Sequence, residues 1–514
     1  MSARIRRGAC VAAALIATLF SNGSAAASAP AVRSPPVPPV RAPAASPQVF
    51  HYPRFGAISV YRGAGEPEDF VLFLSGDGGW SLGVVSMARH LAAQGAIVAG
   101  IDIRHYLKEL GRSSAACVSP AVDFENLSHF LQARLGLKRY LQPTLVGYSS
   151  GATLVYATLV QSPEGLFKGA LSIGFCPDLD LKKPLCRGSG IESVPRRNAK
   201  GVRQGVNFLP AKKLPGAWIS LQGEIDQVCP APATKKFIAA VPAAEIVNLP
   251  KVGHGYGIEK NWMPQFEAAY RRITASTGPS AQSPPSDPVP TASASAAATP
   301  AAAPADAQVA DLPLNLVPAA AGATSPWFGV FLSGDGGWVG IDRDVSKALA
   351  EHGIPVVGWD SLKYFWSART PDGAARDLDR VLRHYGKLWG KSRALLVGYS
   401  QGADTLPFMV NRLPPETRAV IGFTALLGLS DRADFEFHFA NWLGDSRRGI
   451  PTAPELARWS GSPYLCLYGA DDRESTCAKL AGTDAIVVKM PGGHHFDGSY
   501  GAIAKEILAR LPSH

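Results

Sequence analysis

The sequence predicts two tandem α/β domains, each built on a doubly wound, mainly parallel β-sheet. Short apolar runs alternate with amphipathic stretches of helical period, which is the pattern of a parallel sheet covered by helices on both faces. One apolar run leads into Gly-x-Ser-x-Gly at residues 398–402, a motif that favours an abrupt turn from a buried strand into a helix. The chain also carries its motifs twice, in the same order.

An internal repeat defines the two domains. Residues 70–80 and 328–338 are identical at nine of eleven positions. Two further pairs follow in the same order: 95–102 with 353–360, and 147–151 with 398–402. We therefore expect a first domain of residues 49–275 and a second domain of residues 309–514.

The first 27 residues have the features of a secretory signal peptide. Arg4, Arg6 and Arg7 precede an apolar run over about residues 9–20, and an Ala-x-Ala pattern closes the segment at Ala27. The apolar run is too short to span a bilayer, which takes about 20 residues. We expect cleavage after Ala27 and export to the periplasm.

Two low-complexity tracts flank the first domain. Residues 28–48 and 276–308 are rich in Ala, Pro and Ser, which offer too little apolar surface to form a core. We predict that the first tract is an extended tether and that the second is a linker between the domains.

The charge of the chain suggests a partner. The formal net charge is +10 and would fall to +7 with the signal peptide, because that segment holds three arginines and no acidic residue. A basic protein suits work near anionic headgroups, so an anionic membrane surface is an expected partner. No Lys/Arg cluster in the sequence suggests nucleic acid, and we expect no nucleic-acid partner.

The cysteines suit an oxidising compartment. Six of the seven would remain after export, since Cys10 lies in the signal peptide. Cys466 and Cys477 are the only cysteines in the sequence of the second domain, so we predict a disulfide between them. Two buried free thiols are the alternative.

Periodicity predicts the elements of the second domain. Its apolar runs predict strands at 327–333, 355–359, 394–398, 419–427, 464–468 and 485–490, and its amphipathic stretches predict helices such as 342–352 and 372–384. Functional groups in open parallel sheets gather at the carboxyl ends of the strands.

Ser400, at the centre of the Gly-x-Ser-x-Gly motif, is the candidate nucleophile of an α/β-hydrolase type of domain. Such a serine needs a histidine to take its proton and a carboxylate to orient that histidine, and along the chain they follow in the order Ser, acid, His. Asp472 is the predicted acid, because its place after a strand matches Asp226 in the first repeat. His495 is the predicted base when residues are counted from the preceding proline, whereas matching Gly-His pairs favours His494 as the alternative.

The loop at residues 333–338 follows an early strand, where this type of domain holds one N–H donor for the oxyanion. We predict Gly336 of this loop and Gln401, directly after the serine, as the donors. A phosphate-binding loop is the rival interpretation, but its Gly-Lys-Ser/Thr is missing. We expect no cofactor and no metal, because His and Cys show no paired zinc-ligand spacing and the adjacent His494 and His495 would chelate poorly.

Three aspartates are predicted to bind a cationic part of the substrate. Asp335, Asp360 and Asp404 lie near the ends of predicted strands or close to Ser400. Helix capping and turn formation are the structural alternative for these residues.

The first domain holds a second candidate set, formed by Ser149, Asp226 and His254 in the same order. Its Gly-x-Ser-x-Gly motif lacks the residues equivalent to Asp404 and Pro407. Two interpretations are open: a second, differently selective esterase, or a degenerate domain that positions the active one. We favour the second of these.

Several motifs resemble the VirJ/AcvB family of bacterial virulence proteins: Phe-Leu-Ser-Gly-Asp-Gly-Gly-Trp at 331–338, Ser-Leu-Lys-Tyr-Phe-Trp at 361–366, Gly-Tyr-Ser-Gln-Gly-Ala-Asp at 398–404 and Gly-His-His-Phe at 493–496. A signal peptide, a weaker first repeat and a closing domain of this kind are similar to the two-domain AcvB layout. The resemblance implies a periplasmic serine hydrolase that cleaves the aminoacyl ester of lysyl- or alanyl-phosphatidylglycerol, with Ser400 as nucleophile.

Two other functions are compatible with these motifs. A general periplasmic carboxylesterase or peptidase is the alternative within the enzyme class. A non-catalytic assembly factor, with secretion-system components as partners, is the alternative outside it. The complete set of serine, acid and histidine favours an enzyme, because a scaffold has no physical need for all three.

Overall fold

The structure is a computed structural model, and it describes residues 46–275, 308–320, 325–437, 449–459, 462–473, 475–496 and 500–512. The predicted signal peptide, nearly all of the predicted tether and nearly all of the predicted linker lie outside these residues. Both large sheets belong to one compact unit of residues 45–514. Among the described helices, none combines the length and the apolar character that a membrane span requires.

The first half is built around an eight-stranded sheet. The described strands of this half are β1 (Gln48–Tyr52), β2 (Gly56–Arg62), β3 (Asp69–Leu74), β4 (Ala96–Ile101), β5 (Pro143–Tyr148), β6 (Gly169–Ile173), β7 (Asp178–Leu179), β8 (Ser193–Arg197), β9 (Arg203–Phe208), β10 (Ala217–Gly223) and β11 (Ala244–Leu249). The sheet order is β1-β2-β4-β3-β5-β6-β10-β11, and all pairs from β4 onward are parallel. Strands β7, β9 and β8 form a small separate sheet.

The second half repeats this plan with seven strands. Its described strands are β12 (Leu314–Val317), β13 (Trp327–Leu332), β14 (Val356–Trp359), β15 (Arg393–Tyr399), β16 (Ile421–Leu427), β17 (Arg432–Ala433), β18 (Ile450–Pro451), β19 (Tyr464–Gly469) and β20 (Ile486–Met490). The sheet order is β12-β14-β13-β15-β16-β19-β20, and only the edge strand β12 is antiparallel to its neighbour.

Helices connect the strands of both sheets. In the first half the described helices are α1 (Leu82–Ala93), α2 (Ile103–Arg112), α3 (Pro120–Arg134), α4 (Ser150–Gln161), α5 (Ala231–Ala239) and α6 (Met263–Ala275). In the second half they are α7 (Ile341–Glu351), α8 (Ser361–Phe365), α9 (Pro371–Trp389), α10 (Gln401–Asn411), α11 (Pro415–Arg418), α12 (Ala453–Ala457) and α13 (Tyr500–Leu508). Single 3₁₀ turns lie at Glu259–Asn261 and Cys477–Leu480.

Helices cover both faces of the second sheet. Side chains alternate along β15, so Leu396 packs in the core that includes α9 and α10, whereas Leu395 and Val397 pack in the core that includes α7 and α13. A parallel sheet with apolar layers on both faces is the doubly wound arrangement. The structure therefore confirms the predicted fold class.

The predicted boundaries in the second half agree with the structure to within about two residues at most ends. Two differences stand out. Helix α9 continues past the predicted end at residue 384 as far as Trp389, and β12 was not predicted. Strand β12 has four residues and lies at the sheet edge, so it is too short to show a periodic pattern.

The two halves touch near α8. Trp366 donates a hydrogen bond from Nε1 to the carbonyl oxygen of Leu137 at 2.6 Å. The Trp366 ring also packs against Tyr140 of the first half, with 5.3 Å between centroids. Glu164 of the first half pairs with Arg343 of α7 at 2.8 Å. The first half therefore contacts the segments that follow two strands of the second sheet.

Three disulfides join the six cysteines of the described chain: Cys117–Cys186, Cys176–Cys229 and Cys466–Cys477. The third confirms the predicted bridge. Its two cysteines are 11 positions apart in the sequence, and Asp472 lies between them. The bridge therefore restrains the chain around Asp472.

Replacing Cys466 and Cys477 together by Ala should lower the free energy of unfolding by about 2–3 kcal/mol, because the bridge restricts the unfolded chain. Labelling of Ser400 by a serine-directed fluorophosphonate should also slow, since Asp472 lies in the bridged segment. Thermal denaturation and labelling rate measure the two effects. The Cys117→Ala/Cys186→Ala variant is the matched control and should leave Ser400 labelling unchanged. Unchanged melting and labelling in the first variant would contradict this prediction.

Candidate active site

Ser400 lies at the sharp turn between β15 and α10. Its φ of 51° falls in the left-handed region, which residues other than glycine rarely adopt. Gly398 and Gly402 allow the turn. A β-carbon at Gly398 would overlap the carbonyl group of Gly402, and a β-carbon at Gly402 would overlap the carbonyl group of Leu332. The turn leaves the Ser400 side chain partly exposed at the carboxyl end of β15.

Three side chains form a hydrogen-bonded chain at this turn. The Ser400 Oγ lies 3.0 Å from Nε2 of His494, and Nδ1 of His494 lies 2.8 Å from Oδ2 of Asp472. The Asp472 side chain is 2 % exposed and the His494 side chain 28 %. Nε2 is therefore placed to accept the serine proton while the carboxylate holds the N–H on the opposite side of the ring. This geometry corrects the predicted base from His495 to His494.

His495 has a different neighbour. Its Nδ1 lies 2.7 Å from the Tyr399 hydroxyl, and burial together with the nearby His494 lowers the pKa of His495. Counting from the preceding proline gave the wrong histidine because the loop between proline and histidine is one residue shorter in the second half. His254 lies four residues after Pro250, whereas His494 lies three residues after Pro491. His495 therefore contacts the residue that precedes the nucleophile instead of the nucleophile itself.

A glycine that the sequence analysis missed helps to position the base. Gly428 follows β16 with a φ of +67°, and a β-carbon there would lie 2.9 Å from Cε1 of His494. Gly174 occupies the same place after β6, and a β-carbon there would lie 3.4 Å from the His254 ring. Aligning the two repeats at the ends of these strands could have found this pair.

The predicted oxyanion donors differ in their placement. Gln401 is the first residue of α10, so its N–H is one of the four that an α-helix leaves without an intrahelical acceptor. Gly336 lies beside Glu125 instead, and a β-carbon at Gly336 would be 3.1 Å from Oε1 of Glu125. A β-carbon at Gly334 would lie 3.4 Å from that of Ser400. The assignment of Gly336 as the second donor therefore stays a prediction.

The three predicted substrate-binding aspartates have different surroundings. Asp360 caps α8, accepting a hydrogen bond from the N–H of Lys363 at 3.1 Å and pairing with its ammonium at 2.7 Å. Asp404 is buried, which raises its pKa well above the usual value, and it accepts a hydrogen bond from the N–H of Ser430 at 2.7 Å. Asp360 fits the helix-capping alternative, whereas Asp404 holds the segment that follows β16 and neither caps a helix nor forms a turn. Asp335, partly buried in the loop beside Ser400, remains a candidate for substrate binding.

Glu125 reaches this loop from α3 of the first half. Its Oε1 lies beside Gly336, the residue after Asp335. Burial and the negative charge of Asp335 raise the pKa of Glu125 to about 8. Neighbouring carboxyl groups whose charges repel are stabilised by a cation between them. The sequence analysis missed Glu125 because no motif links it to the second half.

The first half repeats the arrangement of the second. The Ser149 Oγ lies 2.8 Å from Nε2 of His254, and Nδ1 of His254 lies 2.9 Å from Oδ2 of Asp226. Ser149 also has a left-handed φ, of 56°. Asp226 and His254 converge with Cys229, but that sulfur is bonded to Cys176 and is therefore not a thiolate that could bind a metal. The structure thus brings together all three residues of the second predicted set.

The family model described as bacterial virulence protein (VirJ) matches residues 68–167 and 327–514 of this chain. The first matched region contains Ser149, and the second contains Ser400, Asp472 and His494. A comparison with curated proteins gave no match.

Hydrolases are among the similar solved structures. A putative dienelactone hydrolase from Klebsiella pneumoniae is 17 % identical, with a TM-score of 0.29, and the match covers 44 % of this chain and 96 % of that one. A thermophilic esterase from Thermogutta terrifontis is 18 % identical, with a TM-score of 0.31 and coverages of 45 % and 93 %. An alpha-beta serine hydrolase homologue from Coxiella burnetii is 14 % identical, with a TM-score of 0.30 and coverages of 45 % and 99 %.

Replacing His494 by Ala should slow fluorophosphonate labelling of Ser400 by about 10²- to 10⁴-fold, because the serine loses the group that takes its proton. The measurement uses the Ser149→Ala background, so that labelling reports Ser400 alone. His495→Ala is the matched control on the adjacent residue and should keep most of the labelling rate. An equal loss in both variants, or a larger loss in His495→Ala, would show that the base is misassigned.

Proposed function

The chain belongs to the bacterial virulence protein (VirJ) family, and from this membership and the Ser400 site we propose that it is a periplasmic serine hydrolase of aminoacylated phosphatidylglycerol. The enzyme cleaves the ester between a lysyl or alanyl group and the lipid headgroup. Its products are the free amino acid and phosphatidylglycerol. The hydrogen-bonded chain from Ser400 through His494 to Asp472 is the observation that carries the proposal.

The reaction has two steps. Ser400 Oγ attacks the ester carbonyl carbon while Nε2 of His494 takes the hydroxyl proton, and Asp472 stabilises the imidazolium that forms. The bond to the headgroup oxygen breaks, and His494 gives the proton to that oxygen. Water then attacks the aminoacyl-enzyme with His494 again as base, which releases the amino acid and restores the Ser400 hydroxyl.

The surroundings of Ser400 suit a cationic acyl group. Alanyl and lysyl esters carry an ammonium group on the carbon next to the ester carbonyl, so a positive charge must lie close to the nucleophile. Asp335 is in the loop beside Ser400, and Glu125 lies against the same loop. Burial and then the charge of Asp335 raise the pKa of Glu125, and an ammonium group near both carboxyl groups would offset that repulsion.

The small sheet of the first half suits the proposed anionic membrane surface. The hairpin of β8 and β9 carries Arg197 and Lys200, both exposed, and its Val194 and Val202 are 51 % and 56 % exposed. Exposed apolar side chains among basic ones bind an interface in which headgroups are anionic and acyl chains lie beneath. This hairpin supports membrane docking as part of the proposal.

Two alternatives have less support. A general carboxylesterase or peptidase would use the same three residues but has no need for acidic groups beside the nucleophile. An assembly factor for secretion-system components has no need for the strained backbone of Ser400 or for its hydrogen bond to His494.

The Ser400→Ala variant should lose hydrolysis of lysyl- and alanyl-phosphatidylglycerol by about 10³-fold or more, because no other group replaces the nucleophile. Release of free amino acid from mixed lipid vesicles measures the rate. Retention of the wild-type rate in Ser400→Ala would sink the proposed function.

Glu125→Gln tests the cationic acyl group separately from the nucleophile. At about pH 8.5, where the carboxyl is mostly ionised, the variant should raise KM for lysyl-phosphatidylglycerol roughly tenfold, as for loss of one charge-assisted contact. Hydrolysis of an uncharged acyl ester of the same headgroup is the matched control and should change little. Equal effects on both substrates would argue against a cation beside Glu125.

Changing Lys200 and Arg197 to Glu should weaken binding to vesicles that contain phosphatidylglycerol, by roughly tenfold or more, since each basic group contributes about 1 kcal/mol near such a surface. Vesicle sedimentation at low salt measures the binding. The Lys347→Glu/Arg376→Glu variant, at exposed positions of α7 and α9, makes the same change of net charge and is the control. Comparable loss in the control would mean that the hairpin has no special role.

A further inference from the structure

We infer that the first half carries a second catalytic site, centred on Ser149, for esters with an uncharged, apolar acyl group. The inference stands apart from the function proposed for Ser400. It differs from the sequence-based preference for a degenerate first domain, and the reasons lie in the geometry and in the side chains around Ser149.

The catalytic geometry of the first half is complete. His254 lies 2.8 Å from Ser149 and 2.9 Å from Asp226, against 3.0 and 2.8 Å for the same contacts of the second half. The Asp226 side chain has no exposed surface, and its Oδ1 accepts hydrogen bonds from the N–H groups of Val228 and Cys229 at 2.9 and 2.8 Å. Such bonds fix the orientation of the carboxylate, which is what an orienting acid requires.

The strained turn is also kept. Ser149 retains a left-handed φ, and a β-carbon at Gly147 or Gly151 would overlap backbone atoms as at the second turn. Ser150 begins α4, so its N–H is available to an oxyanion as that of Gln401 is. A domain that only positions its neighbour has no need for this strain, which persists where the surrounding structure enforces it for function.

The loop beside Ser149 is open. Asp77 and Gly78 are exposed, whereas their counterparts Asp335 and Gly336 are partly buried, with Glu125 against Gly336. The Asp77 carboxylate accepts a hydrogen bond from Ser150 Oγ at 2.7 Å. Asp102 meets the end of this loop, but it pairs with Arg104 at 2.7 Å, and the Arg104 guanidinium lies beside Gly79. A cationic acyl group would therefore meet a positive charge here.

Large apolar side chains stand in the segments that carry the acid and the base of the first half, and two of them replace acidic residues of the second half. Ile225 and Val228 flank Asp226 and are 62 % and 64 % exposed, and Ile258, just after His254, is 57 % exposed. Counted from the acid and the histidine of the second half, the corresponding residues are Asp471, Glu474 and Gly498. Exposed apolar side chains in the segments that hold the acid and the base favour an apolar ligand. An uncharged acyl chain therefore fits this site better than an aminoacyl group.

The reaction at Ser149 has the same two steps as the reaction proposed for Ser400. Ser149 Oγ attacks the ester carbonyl as His254 takes its proton, the bond to the alcohol oxygen breaks, and His254 protonates that alcohol. Water then attacks the acyl-enzyme, the acyl–Ser149 bond breaks, and a carboxylic acid is released. The step needs no co-reactant other than water.

The first test uses the full-length protein, a fluorophosphonate probe and p-nitrophenyl hexanoate. Ser400→Ala should keep the label on the peptide that contains Ser149 and should keep measurable hexanoate hydrolysis. The Ser149→Ala/Ser400→Ala variant should lose both, with hydrolysis falling by about 10³-fold or more. If Ser400→Ala is already unlabelled and as inactive as the double variant, the inference is wrong. The proposed function of Ser400 is read separately, from amino acid release, so the two can fail independently.

The second test addresses the acyl group in the Ser400→Ala background. Ile225→Asp/Val228→Glu copies the side chains of the second half and keeps the backbone N–H groups that hold Asp226. It should raise KM for p-nitrophenyl hexanoate about tenfold. For p-nitrophenyl acetate, whose acyl chain is too short to reach the apolar groups, KM should change less than about twofold. Equal losses for both esters would overturn the assignment of an apolar acyl group, and thermal melting of the variant checks that it is folded.

Discussion

The close contact between the end of β15 and the start of α10 is the constraint on which the site depends. Only glycine fits at Gly398 and Gly402, because a β-carbon at either would overlap main-chain atoms. The strand can therefore turn into the helix within one residue, and Ser400 takes a backbone conformation that most side chains avoid. The same contact in the first half gives Ser149 the same conformation.

Neighbouring parallel strands then bring the other groups to this turn. In the order β15-β16-β19-β20, Ser400 follows the first strand, Gly428 the second, Asp472 the third and His494 the fourth. Backbone hydrogen bonds from Ser400 N–H to Leu427 and from Gly428 N–H to Leu467 hold these strand ends in line. A parallel sheet places such ends on one edge, so residues almost a hundred positions apart meet without a long-range motif.

The two halves share this machinery and differ in what surrounds it. Around Ser400 the loop is met by Glu125 from the other half, and the segments carrying the acid and base include Asp471. Around Ser149 the loop is open and the equivalent segments expose Ile225, Val228 and Ile258. Charge selects for an ammonium group and apolar surface selects for a neutral chain, so one scaffold can support two substrate preferences.

The sequence by itself determined the fold class, the strands of the second sheet other than the edge strand β12, the candidate nucleophile and its acid, because these follow from periodicity and from motifs that the repeat reproduces. It could not choose between His494 and His495, since adjacent residues satisfy the same pattern and only the folded loop decides which ring meets Ser400. It also could not reveal Glu125, whose contact with the loop at Gly336 joins residues over two hundred positions apart. Tertiary structure decided these points because they depend on where backbone segments pack, and local sequence carries no record of that packing.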